Sequence, residues 1–130
     1  MELQPSRPEH VVRAFVAAWN RQDINSIIDL IGEEIRYHNI PLEELVGKPT
    51  VASYLCSLPR FDSCTWELHA LAVDGARVLT ERTDVMVIAG TRIVLPVMGI
   101  FVVEHGLIVA WRDYFDLASY RAQWPKENNQ

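Results

Sequence analysis

The sequence predicts an α+β fold in which helices come first and then cover the concave face of a curved antiparallel sheet, leaving a deep cone-shaped pocket between the layers. Three observations carry this. Before Ser63 most apolar residues recur three and four apart, from Ser63 to Phe115 they alternate with a period of two, and each break in that second region holds a glycine suited to a hairpin turn. With 130 residues, 49% of them hydrophobic and 22% charged, the chain has the size of a single domain, 1–130, and no repeat, linker or low-complexity run divides it.

Ser6 and Glu9 have capping-box spacing, and Pro8 falls in the first turn, where its missing N–H is tolerated. Val11, Val12, Phe15, Val16 and Trp19 then form the apolar stripe of a first helix that stops near Asn20 to Asp23. Asp23 is placed to cap a second, short helix in which Ile24, Ile27, Ile28 and Ile31 share a face before Gly32 ends it. Residues 34–40 alternate as a strand, with Ile35, Tyr37 and Asn39 on one side and Arg36, His38 and Ile40 on the other, until Pro41 interrupts it. Gly47, Lys48 and Pro49 open a third helix carrying Val51, Tyr54, Leu55 and Leu58, which Pro59 closes. Four long strands follow, 65–73, 77–89, 91–103 and 107–115, joined at Asp74-Gly75, Gly90 and His105-Gly106 into a meander. Asp116 can cap a final helix with Leu117, Tyr120 and Trp124 on one side, and the polar tail from Lys126 to Gln130 is expected to fray.

A formal net charge of −5 and a pI near 5.3, with no run of Lys and Arg, argue against a nucleic-acid or anionic-membrane surface. The apolar stretches 93–103 and 107–111 are broken by Pro96, Glu104 and Gly106. They fall short of the roughly 20 residues that span a bilayer. The N-terminus lacks the basic-then-apolar layout of a secretory signal, so a cytoplasmic protein is expected. Cys56 and Cys64 read as buried free thiols, and neither they nor the scattered His10, His38, His69 and His105 have metal-binding spacing. No metal or organic cofactor is expected.

The chemistry-bearing residues lie in two of the strands. Along 78–87, Arg82, Asp84 and Met86 share one face; along 107–115, Asp113 falls with Val109, Trp111 and Phe115. A carboxylate among apolar neighbours is costly unless it is paired or protonated, and Arg82 is the available partner. Asp84, Arg82 and Asp113 are therefore expected to form one buried polar cluster able to do acid–base chemistry. Met86, Leu95, Val97, Phe115 and Leu55 supply apolar wall. Glu81, Arg112, Tyr114 and Asp116 fall on the other parity or at a helix cap and read as structural or interface groups, while Trp19, Trp66 and Trp111 read as core.

Four blocks, Tyr37-His38-Asn39-Ile40-Pro41-Leu42, Glu81-Arg82-Thr83-Asp84-Val85, Gly99-Ile100-Phe101 and Trp111-Arg112-Asp113-Tyr114-Phe115-Asp116-Leu117, stand in an order and spacing that resembles limonene-1,2-epoxide hydrolases. The similarity runs from about the first helix to the last. It implies a cone-like fold shared with nuclear transport factor 2 and ketosteroid isomerase, a homodimer, and one-step addition of water to an epoxide without a covalent intermediate. It also implies roles: Asp113 as the base that activates water, Tyr37 and Asn39 as the groups that hold that water, Asp84 as the acid that protonates the epoxide oxygen, and Arg82 as the bridge between the carboxyls.

Elementary chemistry is consistent with those roles. Water must lose a proton as it attacks carbon while the epoxide oxygen gains one, so one carboxyl must be ionised and its partner protonated. Two carboxyls in one desolvated site do this because the second negative charge is disfavoured. A small or medium apolar epoxide, cyclic or terminal, suits the apolar walls. Two other readings stay open: an isomerase or dehydratase using one carboxylate base and an oxyanion hole, and a non-catalytic dimeric domain that binds a small molecule.

Overall fold

The computed structural model describes residues 7–125. In chain order its elements are α1 (Pro8–Arg21), α2 (Ile24–Asp29), β1 (Ile31–Asn39), β2 (Leu45–Val46), α3 (Lys48–Ser57), β3 (Ser63–Asp74), β4 (Arg77–Ile88), β5 (Thr91–Glu104), β6 (Leu107–Tyr114) and α4 (Leu117–Gln123). Strands β3 to β6 form the expected antiparallel meander, and Gly75, Gly90 and Gly106 take the positive φ that its turns require. β1 joins the β6 edge in parallel and carries β2 on its far side, so the sheet is mixed, in the order β2-β1-β6-β5-β4-β3. Alternation within a strand cannot reveal a parallel neighbour, because the pairing is closed here by nearly the whole length of chain between the two strands.

The helices cover the concave face, and α1 shows why. Its apolar stripe is buried from Val11 to Trp19, and Phe15 meets the rings of Trp19, Trp66, Phe101 and Trp111 edge-on at centroid distances of 4.9–6.4 Å. Edge-to-face aromatic contacts of this kind stabilise beyond the area they bury. Asp23 caps α2 by accepting from the Ser26 N–H, and Asp116 caps α4 by accepting from the N–H groups of Ala118 and Ser119.

The local differences from expectation are each physical. α2 stops at Asp29, and Ile31 and Gly32 begin β1 rather than ending the helix. A helical apolar spacing cannot distinguish its last member from the first inward residue of a following strand, and β-branched Ile31 suits the strand. In β6 a bulge opposite Val102 and Val103 shifts the phase, so that fully buried Ile108 takes the inward place expected of Val109. Cys64 is buried as expected, but Cys56 is exposed on α3. Arg7 occupies the N-cap of α1 without a side-chain hydrogen bond; Ser6 and the tail from Lys126 lie outside the described residues. Among the described residues no helix is long and apolar enough to cross a membrane.

Candidate active site

Strand register brings the polar residues together. Thr80 of β4, Gly99 of β5, Asp113 of β6 and Asn39 of β1 stand in one row across the sheet. Arg82 pairs with Val97 in the next row, and Asp84 lies between Trp66 and Leu95 beyond that. On the concave face the helices shut out solvent, leaving Arg82 1%, Asp84 6% and Asp113 5% exposed.

Burial on this scale is tolerable only because Arg82 places all five of its N–H donors. Nε donates to Asp84 Oδ1 at 2.9 Å, and Nη2 donates to Asp84 Oδ2 and Asp113 Oδ2, both at 2.9 Å. Nη1 donates to Asp113 Oδ1 at 3.2 Å and to Thr80 Oγ1 at 3.4 Å, and the Thr80 hydroxyl passes its own proton to the Gly99 carbonyl oxygen at 3.1 Å. The Trp66 ring lies 4.1 Å from the guanidinium carbon, adding a cation–π contact. One guanidinium thus bridges two carboxyls.

The charges follow from this geometry. Burial pushes the Asp84 carboxyl above its ordinary value, Arg82 pulls it back, and the Asp113 charge pushes it up again, with a net rise. Burial opposes the charge of Arg82, but Asp113 and Asp84 more than offset it and the guanidinium stays charged. With one proton on Asp84 the three groups sum to zero charge, which is the least costly state for a buried cluster.

Tyr37 and Asn39 stand beside Asp113. The Asn39 side-chain N–H donates to the Tyr37 hydroxyl oxygen at 2.9 Å, and the Tyr37 ring stacks on Trp111 at 3.8 Å. Burial and the Asp113 charge raise the Tyr37 pKa well above its ordinary value, so the phenol stays protonated. Its O–H proton and the Asn39 carbonyl oxygen are then left to serve something in the cavity.

These groups open into a cavity of about 90 Å³ whose apolar walls include Met86, Leu95, Val97 and Phe115, as expected. Leu55 does not line it. The stripe of Val51 and Leu55 packs into the core, while Tyr54, on the adjacent stripe of α3, and Leu58, just past its end, line the cavity instead. Trp19, Trp66 and Trp111 do both jobs, core and cavity wall. The exposed residues Glu81, Tyr114 and Asp116 lie outside it, as parity requires.

Two further residues, Thr80 and Gly99, belong to the cluster. Thr80 has the parity of Arg82 and Asp84. Gly99 sits mid-strand, and a Cβ there would lie 2.5 Å from both Arg82 Nη1 and Asp113 Oδ1. A glycine inside a strand often marks such a close approach.

Known proteins are similar to this chain in sequence and fold. The family model for the limonene-1,2-epoxide hydrolase catalytic domain matches residues 6–126. Epoxide hydrolase EphG of Mycobacterium tuberculosis is 34% identical over 106 residues, which is 82% of this chain and 71% of that protein. The solved structure of an M. tuberculosis epoxide hydrolase of this type superposes with a TM-score of 0.80 at 31% identity, covering 89% of this chain and 87% of that one. A Catenulispora acidiphila protein with a ketosteroid isomerase-like fold, in complex with trimethylamine, has a TM-score of 0.77 at 20% identity over 94% of this chain and 98% of its own, which speaks to the fold alone. With the family's domain spanning nearly its whole length, this chain belongs to the limonene-1,2-epoxide hydrolase family.

Proposed function

We propose that the protein is a cofactor-independent epoxide hydrolase that adds water in one step to a small or medium apolar epoxide, cyclic or terminal, giving a vicinal diol. The observation that carries this reading is the single guanidinium bridging two buried carboxyls at an apolar cavity.

A water seated between Asp113, Tyr37 and Asn39 can donate one proton to the Asp113 carboxylate and the other to the Asn39 carbonyl oxygen, while accepting from the Tyr37 O–H. Its remaining lone pair is free to attack. As the new C–O bond forms, Asp113 takes the water proton and the epoxide C–O bond breaks. The released oxygen takes the proton held by Asp84, so the product is a neutral diol and the cluster's proton has moved from Asp84 to Asp113. Transfer back through Arg82-linked oxygens or solvent resets the site. General acid and general base contributions of this type each supply about 10²- to 10⁴-fold, and fixed orientation adds to them.

The outward face of the sheet supports a homodimer as the working form, since Leu79, Met98 and Tyr114 leave apolar surface there; Met98 is 50% and Tyr114 48% exposed. Sedimentation equilibrium checks this.

The test of the reaction is Asp113→Asn assayed for diol with a panel of apolar epoxides in oxygen-18 water. Wild type should place label in the diol within a single turnover, and the variant should lose several orders of magnitude in rate. Full rate in the variant, or label appearing only after a first turnover, would refute the assigned base or the one-step course.

A further inference from the structure

The central cavity has a neighbour. Trp19, Leu58 and Phe61 line it and also line a groove of about 230 Å³ between α2 and α3, so one layer of side chains separates two spaces. The groove is more than twice the size of the cavity, and its further lining includes Ile24 and Ile27 of α2 and Leu55 and Cys56 of α3. Gln22 and Arg60 also line it, and the apolar remainder favours an apolar occupant.

The shared wall is held by hydrogen bonds from more than one side. Leu58 and Phe61 belong to the segment between α3 and β3, outside regular structure. Gln22, at the end of α1, clips that segment in place: its amide N–H donates to the Phe61 carbonyl oxygen at 3.1 Å, and its amide oxygen accepts from the Phe61 N–H at 3.1 Å. Gln22 itself adopts a left-handed φ of 54°, uncommon for a side-chain-bearing residue, as the C-cap of α1. Beside that clip the Asp62 N–H donates to the Val87 carbonyl oxygen at 2.6 Å, Asp62 Oδ2 accepts from the Gly90 N–H at 3.1 Å, and the Leu58 N–H donates to the Leu55 carbonyl oxygen at 3.3 Å, so side chains of a short irregular segment, not a helix or strand, separate the two spaces.

We propose that the groove is a distal subsite of the active site, taking the apolar tail of an elongated epoxide whose reactive end lies at Asp113 and whose chain passes between Trp19, Leu58 and Phe61. The catalytic part of this statement rests on the hydrolase reading; the binding part does not. Cys56 provides a probe that touches the groove and not the cavity. The other cysteine, Cys64, is buried, and burial with the Asp84 charge pushes its thiol up to about 12, so it does not compete for a thiol reagent.

Two measurements test the subsite. Across terminal epoxyalkanes of increasing length, wild-type kcat/KM should rise about three- to fourfold for each methylene that enters the groove, as expected for burying one CH2. Cys56→Trp, which fills the groove, should abolish that rise for the long members and leave the shortest unchanged. On the wild-type chain, a saturating long-chain 1,2-diol should slow labelling of Cys56 by a thiol reagent at least tenfold, and a short diol should not. Equal labelling with and without the long diol, or an unchanged length preference in Cys56→Trp, would overturn the proposal. Failure of every epoxide to yield diol would overturn the hydrolase reading instead, and protection of Cys56, which needs neither turnover nor the tryptophan variant, would still decide the groove.

Discussion

Replacing Gly99 by alanine adds one methyl group at the most crowded point of the cluster. The backbone does not object, because the φ of Gly99 is not in the left-handed region and alanine in an unobstructed strand is worth about 0.5–1 kcal/mol over glycine. The side chains do object. The new Cβ would lie 2.5 Å from Arg82 Nη1 and from Asp113 Oδ1, against the 3.4 Å or more of ordinary contact, so one or both must retreat by up to about 0.9 Å. Thr80 Oγ1, at 3.2 Å from the same point, limits where Nη1 can go. The bonds from Nη1 to Asp113 and Thr80 are therefore the ones lost, at about 1.5–3 kcal/mol for each bond to a charged group.

Set against the alanine gain, Gly99→Ala should destabilise by about 2–5 kcal/mol, seen as a fall in Tm of about 10–20 °C for a chain of this size. Moving a reacting group by nearly 1 Å should also lower kcat/KM about 100-fold. Thermal unfolding followed by circular dichroism, with an epoxide assay on the same preparation, measures both. Gly32→Ala is the control, since its Cβ would meet the tip of Val109 at 3.3 Å and the Ile108 carbonyl oxygen and Leu107 Cβ at an ordinary 3.7 Å, and it should change Tm by no more than a couple of degrees. Wild-type stability and activity in Gly99→Ala would refute the crowding on which the cluster's geometry depends.

Other perturbations separate the roles of the cluster's members. Arg82→Met leaves two buried carboxyls without a cation and should cost about 3–5 kcal/mol in urea unfolding, or prevent folding. For Asp84, whose pKa is raised in the folded chain, ionisation opposes folding: the penalty is absent below the unfolded value near 3.8 and grows as pH rises through the folded value. The stability of Asp84→Asn relative to wild type should therefore increase from acid toward neutral pH, and a flat difference would show that Asp84 titrates normally. Tyr37→Phe removes the acceptor of the Asn39 N–H and, in the proposed mechanism, the donor to the attacking water, and should lower kcat about 10- to 100-fold with little change in Tm. Because the Tyr37 pKa is raised, the wild-type rate should show no alkaline loss below the ordinary tyrosine range.

Much of this site was legible because strands make parity explicit. Arg82, Asp84 and Met86 alternate with exposed or half-buried neighbours along β4 as their spacing dictates, and Tyr37 and Asn39 meet because they are two apart on β1. What escaped depends on relations between strands or on the phase of a helix. The parallel pairing that puts Asn39 beside Asp113 crosses most of the chain, and the bulge that moves Ile108 into the place of Val109 leaves no composition signal. Leu55 and Tyr54 are adjacent in sequence, so a shift of one residue in helical phase exchanges core for cavity.

A fold shared with ketosteroid isomerase-like proteins does not carry their chemistry with it. An isomerase base must draw a proton from carbon, which demands a carboxylate as basic as its surroundings permit. Arg82 grips both oxygens of Asp113, at 3.2 and 2.9 Å, and both oxygens of Asp84 as well, so Asp113 does not stand alone as the single base of an isomerase would. Water attacking a strained ring asks less, because its proton becomes acidic only as the C–O bond forms and because an acid acts on the leaving oxygen at the same moment. In the proposed reaction the guanidinium assists by holding the proposed base, Asp113, and the proposed acid, Asp84, within one hydrogen-bonded span and keeping their shared charge near zero. Turnover in oxygen-18 water distinguishes the two outcomes: label in a diol supports this account, and an unlabelled rearranged product would refute it.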